Sequence, residues 1–183
     1  MWRLIGITPD TTQDVEREVK KIIRFLKEGG FDYFHIRKPS FKAEQLKQYL
    51  SLFPQDIRER LTLHDYYELA EEMRIGGINI NKRHTDYDYN LWNGRLSVSC
   101  HSIESLERAG ERADYLLLSP VFDSVSKSGY KSTFTLGELQ KAKEQSIIND
   151  RVIAMGGVKR ERLEVIKALG FGGAAMLGSL WKE

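Results

Sequence analysis

Residues 151–181 read "RVIAMGGVKRERLEVIKALGFGGAAMLGSLW", and they hold one complete strand–helix–strand unit. The apolar run 151–157 ends in Gly156-Gly157. Leu163, Ile166 and Leu169 then recur at steps of three, the spacing of one buried helix face. A second apolar run, 173–181, reads as the next strand. Neither run alternates apolar with polar residues, which is the pattern of strands buried on both faces of a parallel sheet.

The same alternation extends back to the first residues. Strands are expected at "LIGIT" (4–8), "YFHIR" (33–37), "LTLHD" (61–65), "GINI" (77–80), "LSVSC" (96–100) and "YLLLSPVF" (115–122). Between them, Val15, Val19, Ile22, Ile23 and Leu26 stripe a helix that stops at Gly29-Gly30. Leu46, Tyr49, Leu50 and Phe53 stripe a second, and a short helix is expected over 67–74. Ser102 caps a helix that turns Ile103, Leu106 and Ala109 inward, and Thr135 with Glu138 forms a capping box. The polar and aromatic residues 81–95 carry no helical period. No G-x-G-x-x-G follows the first strand, and no G-x-x-x-x-G-K-[ST] occurs, so an open nucleotide-binding sheet loses its usual marker. Eight strands with seven connecting segments predict an α/β protein, a single compact (β/α)8 TIM barrel over 1–183. Its final helix should be short or missing.

Composition narrows the function. The 183 residues are 41% hydrophobic, enough for one well-buried core. Charged residues make up 30% but nearly cancel, at a formal +2, which argues against a nucleic-acid partner needing a basic stripe. No apolar stretch approaches the roughly 20 residues of a membrane helix, and no secretory signal follows Met1. The single cysteine, Cys100, excludes an internal disulfide and fits a reducing compartment. A cytoplasmic protein without a membrane partner is expected. A homodimer is an assembly compatible with barrel rims.

Barrel active sites lie at the C-terminal ends of the strands. Those ends carry His35 and Arg37, His64 and Asp65, Ser99 and His101, the loop "DSVSKSGYKS" (123–132), Gly156-Gly157 and Gly178-Ser179. Glycines after strands seven and eight suit backbone N–H contact with a phosphate, because side chains there would obstruct it. Ser124, Ser126, Lys127 and Lys131, with Gly129 as a hinge, suit a lid over a phosphorylated substrate. Parity sets His35, Arg37 and Pro39 on one face and turns Lys38 away, solvated or paired outside. Arg37 is then an anion ligand. Asp65 offers one carboxylate to Mg²⁺. The four histidines show no H-x-H or H-E-x-x-H spacing, and Cys100 and His101 face opposite ways, so neither a metal hydrolase nor a Cys–His pair is indicated.

The segments "FHIRKPS", "LTLHDYYELA", "GGININ", "LSVSCHSIESLERA", "ADYLLLSPVFDSVSK" and "RVIAMGGVKRERLEVIKALGFGGAAMLGS" together resemble the thiamine phosphate synthase/TenI family over nearly the whole chain. The resemblance implies a (β/α)8 barrel in thiamine biosynthesis. Synthases join an aminopyrimidine diphosphate to a thiazole phosphate and release pyrophosphate, with Mg²⁺ as cofactor. By position, Arg37, Ser99 and Lys127 match pyrophosphate contacts and Asp65 a Mg²⁺ ligand. Ser124 and Ser126 match hydroxyls on the thiazole phosphate, with Gly157 and Ser179 near it.

The sequence departs from the family at three places. The strand-two motif Gln-x-Arg-x-Lys reads His35, Arg37, Pro39, without the inward lysine. After strand four the family's "GxHxGQxD" supplies a second carboxylate, whereas "GININKRH" (77–84) supplies Lys82, Arg83 and His84. The Asn usual before the Asp65 position is His64. Fewer carboxylates and more cations should weaken Mg²⁺ binding, unless Asp86 substitutes. Two alternatives therefore stand beside the synthase. One is a TenI-like thiazole tautomerase, needing no cofactor and using His101 or His35 to move a proton. The other is a non-catalytic binder of a phosphorylated heterocycle.

Overall fold

The computed structural model describes residues 2–84, 87–109, 111–123 and 132–181. Eight strands run in chain order and close into a parallel barrel, β1-β2-β3-β4-β5-β6-β7-β8, so the chain is a (β/α)8 barrel. It divides into two compact units, Ile5–Leu96 and Met1–Leu4 with Ser97–Glu183. No helix among the described residues is long and apolar enough to cross a membrane.

The unit Ile5–Leu96 holds most of β1 (Arg3–Ile7), then β2 (Tyr33–Ile36), β3 (Leu61–Leu63) and β4 (Gly77–Ile80). Gly6 pairs with Phe34, and a Cβ there would lie 2.0 Å from the Phe34 ring. The missing side chain therefore makes room for an aromatic cluster in which Phe25, Phe31 and Phe34 sit 5.3–6.2 Å apart. Helix α1 (Val15–Lys27) starts at Asp14, which accepts from the Arg17 amide, and buries Val19, Ile22 and Leu26. Gly29 and Gly30 end it as expected: the Gly29 amide closes onto Phe25, and Gly30 takes φ +74°. Helix α2 (Ala43–Ser51) buries Leu46, Tyr49 and Leu50. A single turn, α3 (Gln55–Arg58), follows Pro54 and is too short to show a helical period. Helix α4 (Glu68–Glu72) is likewise brief. Within 81–95 a 3₁₀ turn at Tyr89–Leu91 is capped by Asp88, and Trp92 is buried behind it.

The second unit carries β5 (Arg95–Cys100) from Ser97 on, β6 (Tyr115–Leu118), β7 (Val152–Met155) and β8 (Gly173–Met176). Leu116, Leu117 and Leu118 pair with Val152, Ile153 and Ala154. Both predicted caps form. Ser102 and Ser105 cap α5 (Ile103–Arg108), and Thr135 with Glu138 cap α6 (Leu136–Glu144). Helix α7 (Leu163–Ala168) follows a 3₁₀ turn at Arg160–Arg162. Three strands are shorter than their apolar runs. β3 stops before His64, β6 stops before Ser119, and the run 173–181 splits into β8 and the four-residue α8 (Gly178–Trp181). Gly178 and Ser179 thus begin a helix rather than end a strand, and the final helix is short.

Candidate active site

In the unit Ile5–Leu96, the chain leaves β2 through Arg37 and Lys38, which face opposite ways. The Arg37 amide donates to Thr8 Oγ1 at 2.8 Å, and that hydroxyl donates back to the Arg37 carbonyl at 3.1 Å. Its guanidinium is ion-paired with Asp10, just beyond β1. Lys38 is not solvated. Its Nζ reaches both Glu18 oxygens, at 2.8 and 2.9 Å, and the Pro9 carbonyl at 2.9 Å. Tyr49 adds a 2.5 Å hydrogen bond to Glu18. Burial lowers the Lys38 pKa against the opposing hydrogen bond from Glu18. This outward face is a sealed polar knot joining the end of β2 to α1 and α2.

On the other face, His35 is wholly buried, and its Nδ1 lies 2.8 Å from His64 Nε2. One ring must donate and the other accept, so a neutral pair satisfies the bond. Burial, then the His64 and Arg95 charges, hold His35 well below its ordinary pKa. Burial takes His64 down to about 3; Asp65 opposes the fall, while Arg37 and Arg83 add to it. Asn81 donates to the His64 carbonyl at 2.8 Å, and Tyr67 donates to the Asn79 carbonyl at 2.6 Å. These bonds fix the end of β3 against the end of β4.

Asp65, expected from the resemblance as a Mg²⁺ ligand, stands just past β3, but cationic and N–H donors already hold it. Arg83 Nε and Nη2 approach Oδ1 at 3.1 and 2.9 Å, Nη2 also reaches Oδ2 at 3.2 Å, and His84 Nε2 reaches Oδ1 at 2.8 Å. Burial alone would raise the Asp65 pKa. The hydrogen bonds from His84 and Arg83 outweigh it and leave the carboxyl low. A dication bound there would have to share Asp65 with a guanidinium that repels it and an imidazole N–H that competes with it. No group of three His, Cys, Asp or Glu side chains could hold a metal among the described residues. These residues do not fit Mg²⁺. Asp86, the substitute considered from sequence, lies outside the described residues.

In the second unit, Ser99 sits half-buried on β5, and His101 has left the strand. The His101 Nδ1 contacts the Ser119 carbonyl at 3.1 Å and its hydroxyl at 3.3 Å, tying the ends of β5 and β6. Cys100 is buried, its thiol pKa raised by burial. Gly156 and Gly157 take φ +90° and +61°. A Cβ on them would lie 2.7 Å from Pro120 Cα and 2.4 Å from the Asp123 carbonyl, respectively. Close backbone packing against 120–123 is thus a sufficient reason for both glycines. Ser179 donates to the Val158 carbonyl at 3.0 Å, which brings Gly178-Ser179 beside the segment that follows Gly157. Ser124, Ser126, Lys127, Gly129 and Lys131 lie outside the described residues.

Sequence reasoning missed the partners rather than the positions. Asp10 follows β1 at a strand end and carries a charge, a signal equal to that of Asp65. Arg83 and His84 were visible as cations replacing a carboxylate, but not as ligands of Asp65. Glu18 gave no signal, because it sits between charged helix neighbours.

The chain has relatives of known structure and activity. The family model for thiamine monophosphate synthase (TMP-TENI) matches residues 4–180. The thiamine-phosphate synthase of Limosilactobacillus reuteri is 26% identical over 95% of this chain and 85% of its own. The crystal structure of thiamine phosphate pyrophosphorylase from Bacteroides thetaiotaomicron superimposes with a TM-score of 0.83 and 36% identity, over 98% of this chain and 84% of that one. The thiamine phosphate pyrophosphorylase of Pyrococcus furiosus, 19% identical, shares the fold at a TM-score of 0.77 over 99% and 88%. The chain belongs to the thiamine monophosphate synthase family.

Proposed function

We propose that this chain is a thiamine phosphate synthase, coupling an aminopyrimidine diphosphate to a thiazole phosphate. The carbon–oxygen bond to the diphosphate breaks, and its electron pair leaves on pyrophosphate. The resulting carbocation is captured by the lone pair of the thiazole nitrogen, which forms the new carbon–nitrogen bond. One observation carries the reading: two guanidiniums are held on carboxylates past the C-terminal ends of barrel strands, Arg37 on Asp10 after β2 and Arg83 on Asp65 after β4. A leaving pyrophosphate needs such charge, held in place before the bond breaks. Arg37 is oriented for this by Asp10 and by the Thr8 hydroxyl. In this reading Ser99 and the backbone at Gly156, Gly157, Gly178 and Ser179 serve the phosphates, as do Ser124, Ser126 and Lys127 by their place in the sequence. The curated relatives favour the synthase over the tautomerase.

The test is formation of thiamine phosphate by wild-type protein and by Arg37→Ala. Wild type should make product, and Arg37→Ala should lose about 10²–10³ in kcat, the usual cost of removing one preorganised charge stabiliser. Equal rates for the two proteins would remove Arg37 from the mechanism.

A further inference from the structure

We propose that Arg83, clamped by Asp65 and steadied by His84, takes the place of a divalent cation, so that the chain binds a diphosphate without metal. The inference rests on the synthase reading for its ligand and goes beyond it in denying the ion.

Asp65 engages only one edge of the guanidinium, its Nε and one of the two terminal nitrogens. Nη1 makes no hydrogen bond among the described residues, and the side chain is 44% exposed. A guanidinium has five N–H donors in a rigid fork, so the outer edge keeps the geometry that matches phosphate oxygens. The clamp is built rather than incidental. Asn81 Oδ1 accepts the Arg83 amide at 3.0 Å, the Asn81 carbonyl accepts the His84 amide at 3.1 Å, and Asn81 Nδ2 is anchored on His64. His84 packs on Tyr67 with ring centroids 5.0 Å apart. Arg37 is likewise ion-paired with one carboxylate, Asp10, through Nη1, which gives two guanidiniums each backed by one carboxylate. Lys82, exposed beside Arg83, adds a third cation. A loop that ligates Mg²⁺ presents oxygen; this one presents nitrogen donors, which bind the anion directly.

Calorimetric titration of the full chain with inorganic pyrophosphate, in EDTA and in excess Mg²⁺, tests this. Binding should occur in EDTA and gain nothing from Mg²⁺. Arg83→Gln should weaken it by about tenfold or more, the value of a charged hydrogen-bonded contact. Arg83→Lys, which keeps the charge without the fork, should fall between. Arg83 is exposed enough for both variants to fold. Binding that requires Mg²⁺, binding unchanged in Arg83→Gln, or no binding in either buffer would each overturn the inference. The two readings fail separately. Pyrophosphate binding in EDTA without product formation would sink the synthase and keep the metal-free site. Product formed only with Mg²⁺ would do the reverse.

Discussion

Lys38→Ala should be among the most destabilising single changes in the unit Ile5–Leu96. The Lys38 side chain has no exposure and that of Glu18 only 3%, so truncation leaves a carboxylate in the interior with Tyr49 as its remaining partner. Breaking a buried pair on one side costs about 3–5 kcal/mol. The Lys38 ammonium also sits 5.5 and 5.8 Å from the Tyr49 and Phe41 ring centroids, which adds about 0.5–1 kcal/mol. Taking about 4 kcal/mol in total, a chain of this length should lose about 8–16 °C in Tm. Glu18→Gln/Lys38→Met removes both charges and keeps an acceptor for Tyr49, so it should recover most of that loss. Urea denaturation of the three proteins measures it directly. A Lys38→Ala loss below about 1 kcal/mol, or a double variant as unstable as the single, would refute the argument that uncompensated charge is the cost.

Stability should also fall in mild acid. His64 has a folded pKa near 3 against an ordinary 6.5, so between those values the unfolded chain binds more protons than the folded one. The His64 contribution is complete above about pH 6.5 and declines as pH drops, by about 2 kcal/mol at pH 5. His35 shifts the same way, and Asp65, whose folded pKa is also depressed, loses its contribution at lower pH still. Denaturation midpoints that stay level from pH 7.5 to 5 would contradict the neutral buried pair. Gly157→Ala forces φ +61° on a residue with a Cβ that would lie 2.4 Å from the Asp123 carbonyl, so it should cost about 1–3 kcal/mol. A thermal melt matching wild type would show that the segment after β7 yields easily.

The fold was legible because its strands are apolar throughout. β6 and β7 are four-residue runs of Leu, Val, Ile, Ala and Met with one aromatic, and nothing in them suits a solvent-facing strand. Caps were legible for a local reason: Thr135 and Glu138 satisfy each other within one turn. Strand ends were not. Past β6, Val121 is buried and its amide still reaches the Met155 carbonyl at 2.8 Å, and past β8 Leu180 is buried within α8, so hydrophobicity alone overran both boundaries. At the candidate site, parity correctly separated Arg37 from Lys38, yet parity says nothing about partners. Glu18 reads like its exposed neighbour Glu16, and only packing against α2 turns it inward. The surplus of cations after β4 signalled a weaker metal site. That Arg83 and His84 occupy Asp65 depends on the Asn81 turn, which has no marker in the sequence.

The central claim is tested most directly by mixing wild-type protein with the aminopyrimidine diphosphate and the thiazole phosphate in EDTA and assaying thiamine phosphate. The account predicts product without added metal, formed together with an equal amount of pyrophosphate. No product in EDTA, or in Mg²⁺ with both substrates saturating, would contradict it.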